Sequence, residues 1–350
     1  MRYPKNLQKD GSIGFPAPSF GCATEPYYSA FQNSLKKWQE LGYKTNPGVN
    51  AYANEGIGIS NTPEKCAKEL MNMYLDKEND VLISCGGGEL MCEILDFVDF
   101  EAIKVAEPKW FMGYSDNTNL IYLLATICDI ASIYGPCAGT YGMEPWHEAL
   151  HDAHALLIGE KTTMKGYDTW EKESLKSEEN PLAPYNVTEP RVLKVYFQGE
   201  FWDDPEKISE EITMSGRLLG GCMDCLINLL GTKYDKTKDF IEKYAEDGIL
   251  WFIEACELNV LSIRRAMWQM EHAGWFQHVK GFLFGRPRNG EAIMGLDAYE
   301  AVLTVAKKYD VPVIMDVDIG HVAPMMPLVV GSIAQVRVIS NDIEVKMEYK

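Results

Sequence analysis

The chain has 350 residues, more than one hydrophobic core comfortably serves, so two domains are expected. Lys and Arg number 33 against 51 Asp and Glu, a formal charge of −18 at pH 7 that would repel a phosphate backbone and argues against a nucleic-acid partner. No window approaches the roughly 18 apolar residues of a membrane span. The opening MRYPKNLQKDGSIGF lacks the apolar core of a signal peptide, and nine cysteines scattered from Cys22 to Cys256 do not resemble a disulfide framework. The expectation is a soluble, cytoplasmic protein whose thiols are mostly buried.

In chain order, SIGFPAPS (12–19) reads as a first strand ending in a Pro-rich turn, and YSAFQNSLKKWQELG (28–42) as a helix with a Gly stop. TPEKCAKELMNMYLD (62–76) begins with a Thr cap and Pro at the first helical position, then feeds DVLISCGGGE (80–89), a strand running into three glycines. KWFMG (109–113) is the next strand, DNTNLIYLLATI (116–127) the next helix, and ASIYGP (131–136) another strand. This alternation predicts an N-terminal α/β domain over 1–160, with a Rossmann-like or flavodoxin-like parallel sheet and helices on both faces.

From 161 to 215 the chain is rich in charge, Pro and aromatics with little regular period, which predicts an insertion or linker between domains. A second α/β domain is expected over 216–350. GRLLGGCMDCLINLLGT (216–232) reads as a Gly-Gly turn entering an apolar helix, GILWFIEAC (248–256) as a strand, and LSIRRAMWQMEHAGWF (261–276) as an amphipathic helix. VKGFLFGR (279–286), VPVIMDVDIGH (311–321) and AQVRVIS (334–340) supply further strands. No internal repeat or low-complexity tract is present.

Three patterns carry possible chemistry. Gly-Tyr-Ser-Asp (113–116) lies between a strand and a helix, where a serine is lifted above the sheet edge and the following backbone N–H groups can hold an oxyanion. Glu254 in FIEACE and His321 in DIGHVAP stand at strand ends and offer an acid and a base, so the chain order would be Ser115, Glu254, His321. The same Ser-Asp junction also fits a simple helix cap. Glycines 86–88 end the preceding strand; they suit either a second oxyanion donor or a tight turn, and they do not make a dinucleotide fingerprint.

WHEALHDAH (146–154) contains a literal H-E-x-x-H. On a helix His147 and His151 would share a face and could bind zinc, with Glu148 as general base. Pro145 places His147 at the helix start, a fraying position for a ligand, and the longer zinc-protease pattern is absent although His154 is nearby. Cys222 and Cys225 of CMDC lie in an apolar run without a second cysteine pair, which favours packing thiols over a redox or zinc site.

Taken together, the APS turn, the strand ending in GGG, FMGYSDNTNL, YGP, GRLLGGCMDCLINLLGT, ILWFIEACE with IRRAMWQMEHAG after it, and DIGH followed by a stretch containing Pro, Leu and Gly occur in one order. That ordered set resembles the LD-carboxypeptidase family of serine peptidases, which includes the microcin C immunity proteins. The resemblance implies a hydrolase with its active site at the interface of two domains, and Ser115 as nucleophile, Glu254 as acid and His321 as base. Glu257 is the alternative acid, since it lies three residues on. It further implies oxyanion donors at Gly88, or alternatively Gly87, and at the backbone of Asp116, with Gly87 also a candidate substrate contact. It implies no metal or cofactor, and a homodimer.

For substrate, GGCMDCL and the long middle segment lean towards the immunity branch, which cuts an aminoacyl or peptidyl group from a modified nucleotide. The alternative is a muropeptide LD-carboxypeptidase, and a zinc hydrolase or a catalytically silent peptide-binding relative would be of another class. Tyr167, Trp170, Tyr185, Tyr196, Phe197, Phe201 and Trp202 are the aromatics available to stack on a base, with Trp202 taken forward as a candidate contact; the other role open to them is packing.

Overall fold

The computed structural model describes residues 1–204, 207–208 and 210–350, and the chain divides into two compact units. The first comprises residues 1–161 and 173–186, the second 162–172 and 187–350. Both are mixed α/β, as the alternation of apolar runs predicts.

The first unit contains β1 (Ser12–Phe15), α1 (Tyr27–Glu40), β2 (Lys44–Pro47), α2 (Pro63–Leu75), β3 (Val81–Ile83), α3 (Phe100–Val105), β4 (Phe111–Gly113), α4 (Thr118–Thr126), β5 (Ser132–Tyr134) and α5 (Glu148–Leu157). α2 starts where the sequence supplies a cap: the Thr62 side chain accepts from the Lys65 N–H, with Pro63 at the first helical position. Its strands run parallel in the order β5-β4-β3-β1-β2. Val81, Leu82, Ile83, Phe111 and Met112 are fully buried, as strands covered on both faces must be. This is the flavodoxin-type order, and it creates a crevice beyond the carboxyl ends of β1 and β3, where the direction of winding reverses.

The second unit begins with β6 (Thr163–Lys165), β7 (Thr169–Glu171), β8 (Val187–Pro190), β9 (Lys194–Phe197), β10 (Glu200–Trp202) and β11 (Ile212–Cys222). It continues through α6 (Met223–Leu229), α7 (Thr237–Lys243), β12 (Ile249–Glu254), α8 (Val260–His272), β13 (Val279–Gly285), α9 (Ala298–Ala306) and β14 (Val313–Val317) to β15 (Leu328–Val330), β16 (Ile333–Ile339) and β17 (Asp342–Glu348). Nine strands form one sheet in the order β10-β9-β14-β13-β12-β11-β16-β17-β6. Its central four, β11 to β14, pair in parallel, and the flanking strands pair antiparallel. Cys222 and Glu254 are register partners at the carboxyl ends of β11 and β12.

Two local expectations differ from what forms. The stretch 161–215 is not without regular structure: it supplies β6 to β10 and the start of β11, and its residues 173–186 belong to the first unit. Strands of three or four residues are too short to leave a readable period. The Gly-Gly of 220–221 is the end of a strand rather than a turn, because the Phe252 carbonyl leaves no room for a Cβ at Gly220. All nine cysteines are free thiols, seven of them buried. Among the described residues no helix is long and apolar enough to cross a membrane.

Candidate active site

In the first unit the site is built by backbone geometry. The chain leaves β4 at Gly113 and turns through Tyr114 into a short 3-10 turn, Ser115–Asn117, before α4 begins. Ser115 is held at φ +63°, a left-handed conformation that an L residue keeps only when its surroundings enforce it. Its N–H donates to Tyr134 Oη at 3.4 Å, and Asn117 Nδ2 donates to the carbonyls of Tyr114 (3.1 Å) and Gly86 (2.8 Å). Asn117 thereby ties the end of β4 to the glycine turn after β3. The result is a strained strand-to-helix turn, a geometry that can present a serine hydroxyl as a nucleophile.

The glycine turn lies against that serine. A Cβ on Gly87 would stand 3.0 Å from Ser115 Cβ and 3.1 Å from its Oγ, so a bare backbone faces the hydroxyl. The Gly87 carbonyl accepts from the Phe20 N–H at 2.8 Å, and a Cβ on Gly88 would fall 2.1 Å from Ser19 Oγ. Asp116 is 3% exposed, and its Oδ2 accepts from Ser19 Oγ (2.5 Å) and the Met91 N–H (2.8 Å), while Oδ1 accepts from Asn119 Nδ2 (2.9 Å). Burial pushes its pKa up to about 6, against the pull of those hydrogen bonds. The carboxyl group therefore fixes the turn, and any oxyanion role of residue 116 rests on its backbone N–H.

In the second unit the site is built by buried charge. Glu254 ends β12 at 2% exposure, and its Oε2 lies 2.8 Å from His321 Nδ1. Gly320 makes this approach possible: it sits at φ +90°, and a Cβ there would stand 2.5 Å from Glu254 Oε2. The segment carrying His321 is anchored by fully buried Asp318, which accepts from Arg286 Nη1 and the Tyr167 N–H, both at 2.7 Å. Burial, the largest influence on the His321 pKa, lowers it, but the Glu254 charge and hydrogen bonds with Cys256 and Glu254 together outweigh that and raise it well above the ordinary imidazole range. With Nδ1 turned to the carboxylate, Nε2 is the ring nitrogen that does not face Glu254.

Glu257, the alternative acid, is not the partner of this imidazole. Its N–H donates to Asp224 Oδ1 at 2.9 Å and its carboxylate accepts from the Cys256 thiol at 3.5 Å. Asp224 also accepts the N–H groups of Cys256 and Leu258, which pins the turn after Glu254.

A cavity of about 720 Å³ in the second unit has Val322, the chain neighbour of His321, in its wall, while His321 and Glu254 themselves do not line it. Trp170, Lys172, Lys194, Arg286 and Arg288 also line it, and the Arg286 guanidinium lies 5.3 Å from the Trp170 ring centroid. Trp202 lines a different cavity, of about 270 Å³, with Phe197 and Ile212. Tyr185 packs on His147 at 5.5 Å, and Phe201 on Tyr299 at 6.0 Å.

Sequence models of two halves of one enzyme family match the chain in order: the LD-carboxypeptidase N-terminal domain over residues 13–135 and the LD-carboxypeptidase C-terminal domain over 215–336. The chain belongs to the LD-carboxypeptidase family. A protein of Treponema pallidum (strain Nichols) named "Putative carboxypeptidase" is 22% identical over 323 residues, covering 91% of this chain and 88% of that protein. The microcin C7 self-immunity protein MccF of Escherichia coli is 23% identical over 327 residues, covering 91% and 88%. A solved structure of MccF in complex with aspartyl sulfamoyl adenosine superposes with a TM-score of 0.80 at 20% identity, covering 100% of this chain and 99% of that one. Near-equal identities to both kinds of relative establish the shared fold and leave the branch undivided.

In this member of the family the H-E-x-x-H histidines have other partners. α5 starts at Glu148, so His147 stands outside it as the N-cap residue, its Nδ1 accepting from the Ala149 N–H at 3.1 Å. His151 packs edge-on against Trp146, and His154 meets Tyr43 Oη at 3.0 Å. The i, i+4 helical face that a zinc pair requires is therefore not formed. Sequence reasoning missed the supports of the site: Ser19, Asn117, Tyr134, Asp224 and Asp318. Each sits inside a block that carries the family resemblance, but nothing in a one-dimensional pattern says which backbone group a side chain will meet.

Proposed function

We propose that this protein is a serine-type amide hydrolase in which Ser115 is the nucleophile, His321 the general base and acid, and Glu254 the group that orients His321. The buried Glu254–His321 hydrogen bond is the observation that carries this reading. The serine belongs to the first unit and the pair to the second, so the reading requires that both act on one substrate. His321 Nε2 takes the Ser115 proton as Oγ attacks the amide carbonyl, and the Gly88 and Asp116 N–H groups receive the oxyanion. His321 then protonates the leaving amine, and water, activated by the same nitrogen, releases the acyl group from Ser115.

For substrate we propose an aminoacyl- or peptidyl-nucleotide. The Trp170–Arg286 pair in the cavity wall supplies a flat surface for a base, and Lys172, Lys194 and Arg288 supply donors for an anionic linkage. This assigns the stacking role to Trp170 rather than to Trp202. Ser115→Ala should lower kcat/KM on an aminoacyl sulfamoyl adenylate roughly a million-fold, as loss of a serine nucleophile does, and abolish labelling by a serine-directed phosphonate. Full activity in that variant would end the reading. A parallel assay on a muropeptide tetrapeptide decides between this substrate and cell-wall LD-carboxypeptidase activity.

A further inference from the structure

The carboxyl ends of β11 and β12 bring a third donor to the Glu254–His321 pair. Cys222 is the register partner of Glu254, and a thiol sulfur, a carboxylate oxygen and an imidazole nitrogen from Cys222, Glu254 and His321 all lie within 4.8 Å of one another. Among the described residues this is the one group of three potential ligands so placed. Donor atoms around a tetrahedral zinc ion, with bonds of about 2.0–2.3 Å, are separated by roughly 3.3–3.8 Å. Binding would draw the three donors from separations of at most 4.8 Å towards that spacing.

The surroundings suit a thiophilic cation. Cys222 and Glu254 are both 2% exposed, while His321 is only partly buried, which leaves one side for entry and for a water as fourth ligand. Cys256, also hydrogen-bonded to His321, is a second thiol beside the imidazole. A thiolate, an imidazole and a carboxylate together select zinc or cadmium over magnesium or calcium.

We propose that Cys222, Glu254 and His321 form a reversible inhibitory site for zinc or a similarly soft divalent cation. On binding, Cys222 releases its thiol proton and His321 its Nδ1 proton to solvent, the imidazole keeping its other proton on Nε2, and Glu254 and His321 exchange their mutual hydrogen bond for bonds to the ion. The inhibitory role rests on the catalytic reading above; the binding itself does not. An imidazole held by the metal no longer accepts the serine proton.

The test uses the full chain stripped of metal, titrated with zinc against a chromogenic chelator and with cadmium by ultraviolet absorption. One zinc per chain, a thiolate-to-cadmium charge-transfer band, and inhibition reversed by chelator are expected. Cys222→Ser should lose the band and weaken zinc binding by more than roughly 100-fold, beyond the 10–100-fold typical of outer-shell changes, with its own activity in chelator as reference. His321→Gln provides a second ligand deletion, checked for folding by thermal melt, and Ser115→Ala should bind zinc as the wild type does. Sub-stoichiometric binding, ligand variants that bind undiminished, or binding that leaves turnover intact while Ser115→Ala silences it would overturn the proposal. Turnover that survives Ser115→Ala counts against the hydrolytic reading alone, and the cadmium band then judges the metal site.

Discussion

The two halves of the proposed machinery are made by different means. Around Ser115 the sequence spends glycines and one left-handed residue to place a hydroxyl against bare backbone, with side chains such as Asn117 and Asp116 acting only as ties. Around His321 it buries a carboxylate and lets charge do the work, with one glycine admitting the imidazole. A nucleophile needs precise direction, which backbone geometry supplies, whereas a base needs a tuned proton affinity, which burial and a neighbouring charge supply.

That contrast predicts how each half fails. Glu254→Gln should cause the larger loss, roughly ten-thousand-fold in kcat, because a neutral amide neither fixes the tautomer nor stabilises the imidazolium. It should also change the pH profile. In the wild type His321 is held above its ordinary range, so kcat/KM should climb through the alkaline region as the imidazole loses its proton; in Glu254→Gln that limb should fall back towards the usual value near ~6.5. The sign for stability is opposite. A raised folded pKa means the pair's stabilisation is complete below the unfolded imidazole range and fades as pH rises through the folded value, which melts across alkaline pH would trace. An unchanged profile in the variant would erase the electrostatic half of the contrast.

Gly87→Ala attacks the other half. A methyl group 3.1 Å from Ser115 Oγ should reduce kcat roughly 10- to 100-fold with the melting temperature little changed, whereas a displacement of that size tests direction rather than proton affinity. Its pH profile should keep the wild-type shape. Ser19→Ala should register mainly as stability, about 1–2 kcal/mol by denaturant titration, since it strips a donor from the buried Asp116 carboxyl group. Glu257→Gln should be the mildest, within about twofold in kcat/KM, because that exposed carboxylate is not the partner of His321.

Much of the fold was legible because parallel strands buried on both faces leave continuous apolar runs, as VLI and FMG do between amphipathic helices. The short strands β6 to β10 were not, since their three or four residues alternate too briefly and face mixed environments. H-E-x-x-H promises a shared helical face only if both histidines lie within the helix; Pro145 already argued against that in the sequence, and the cap falls at His147.

The sequence by itself determined the family, the order of the blocks and the residue types at the strand ends, because each of these is a property of local pattern along one dimension. Only the tertiary structure decided which carboxylate meets the imidazole, that Asp116 serves the turn with its side chain, and that Cys222 stands beside Glu254. Those choices depend on strand register and on space between segments dozens of residues apart, and a shift of one residue in register would exchange every side chain at the rim for its neighbour.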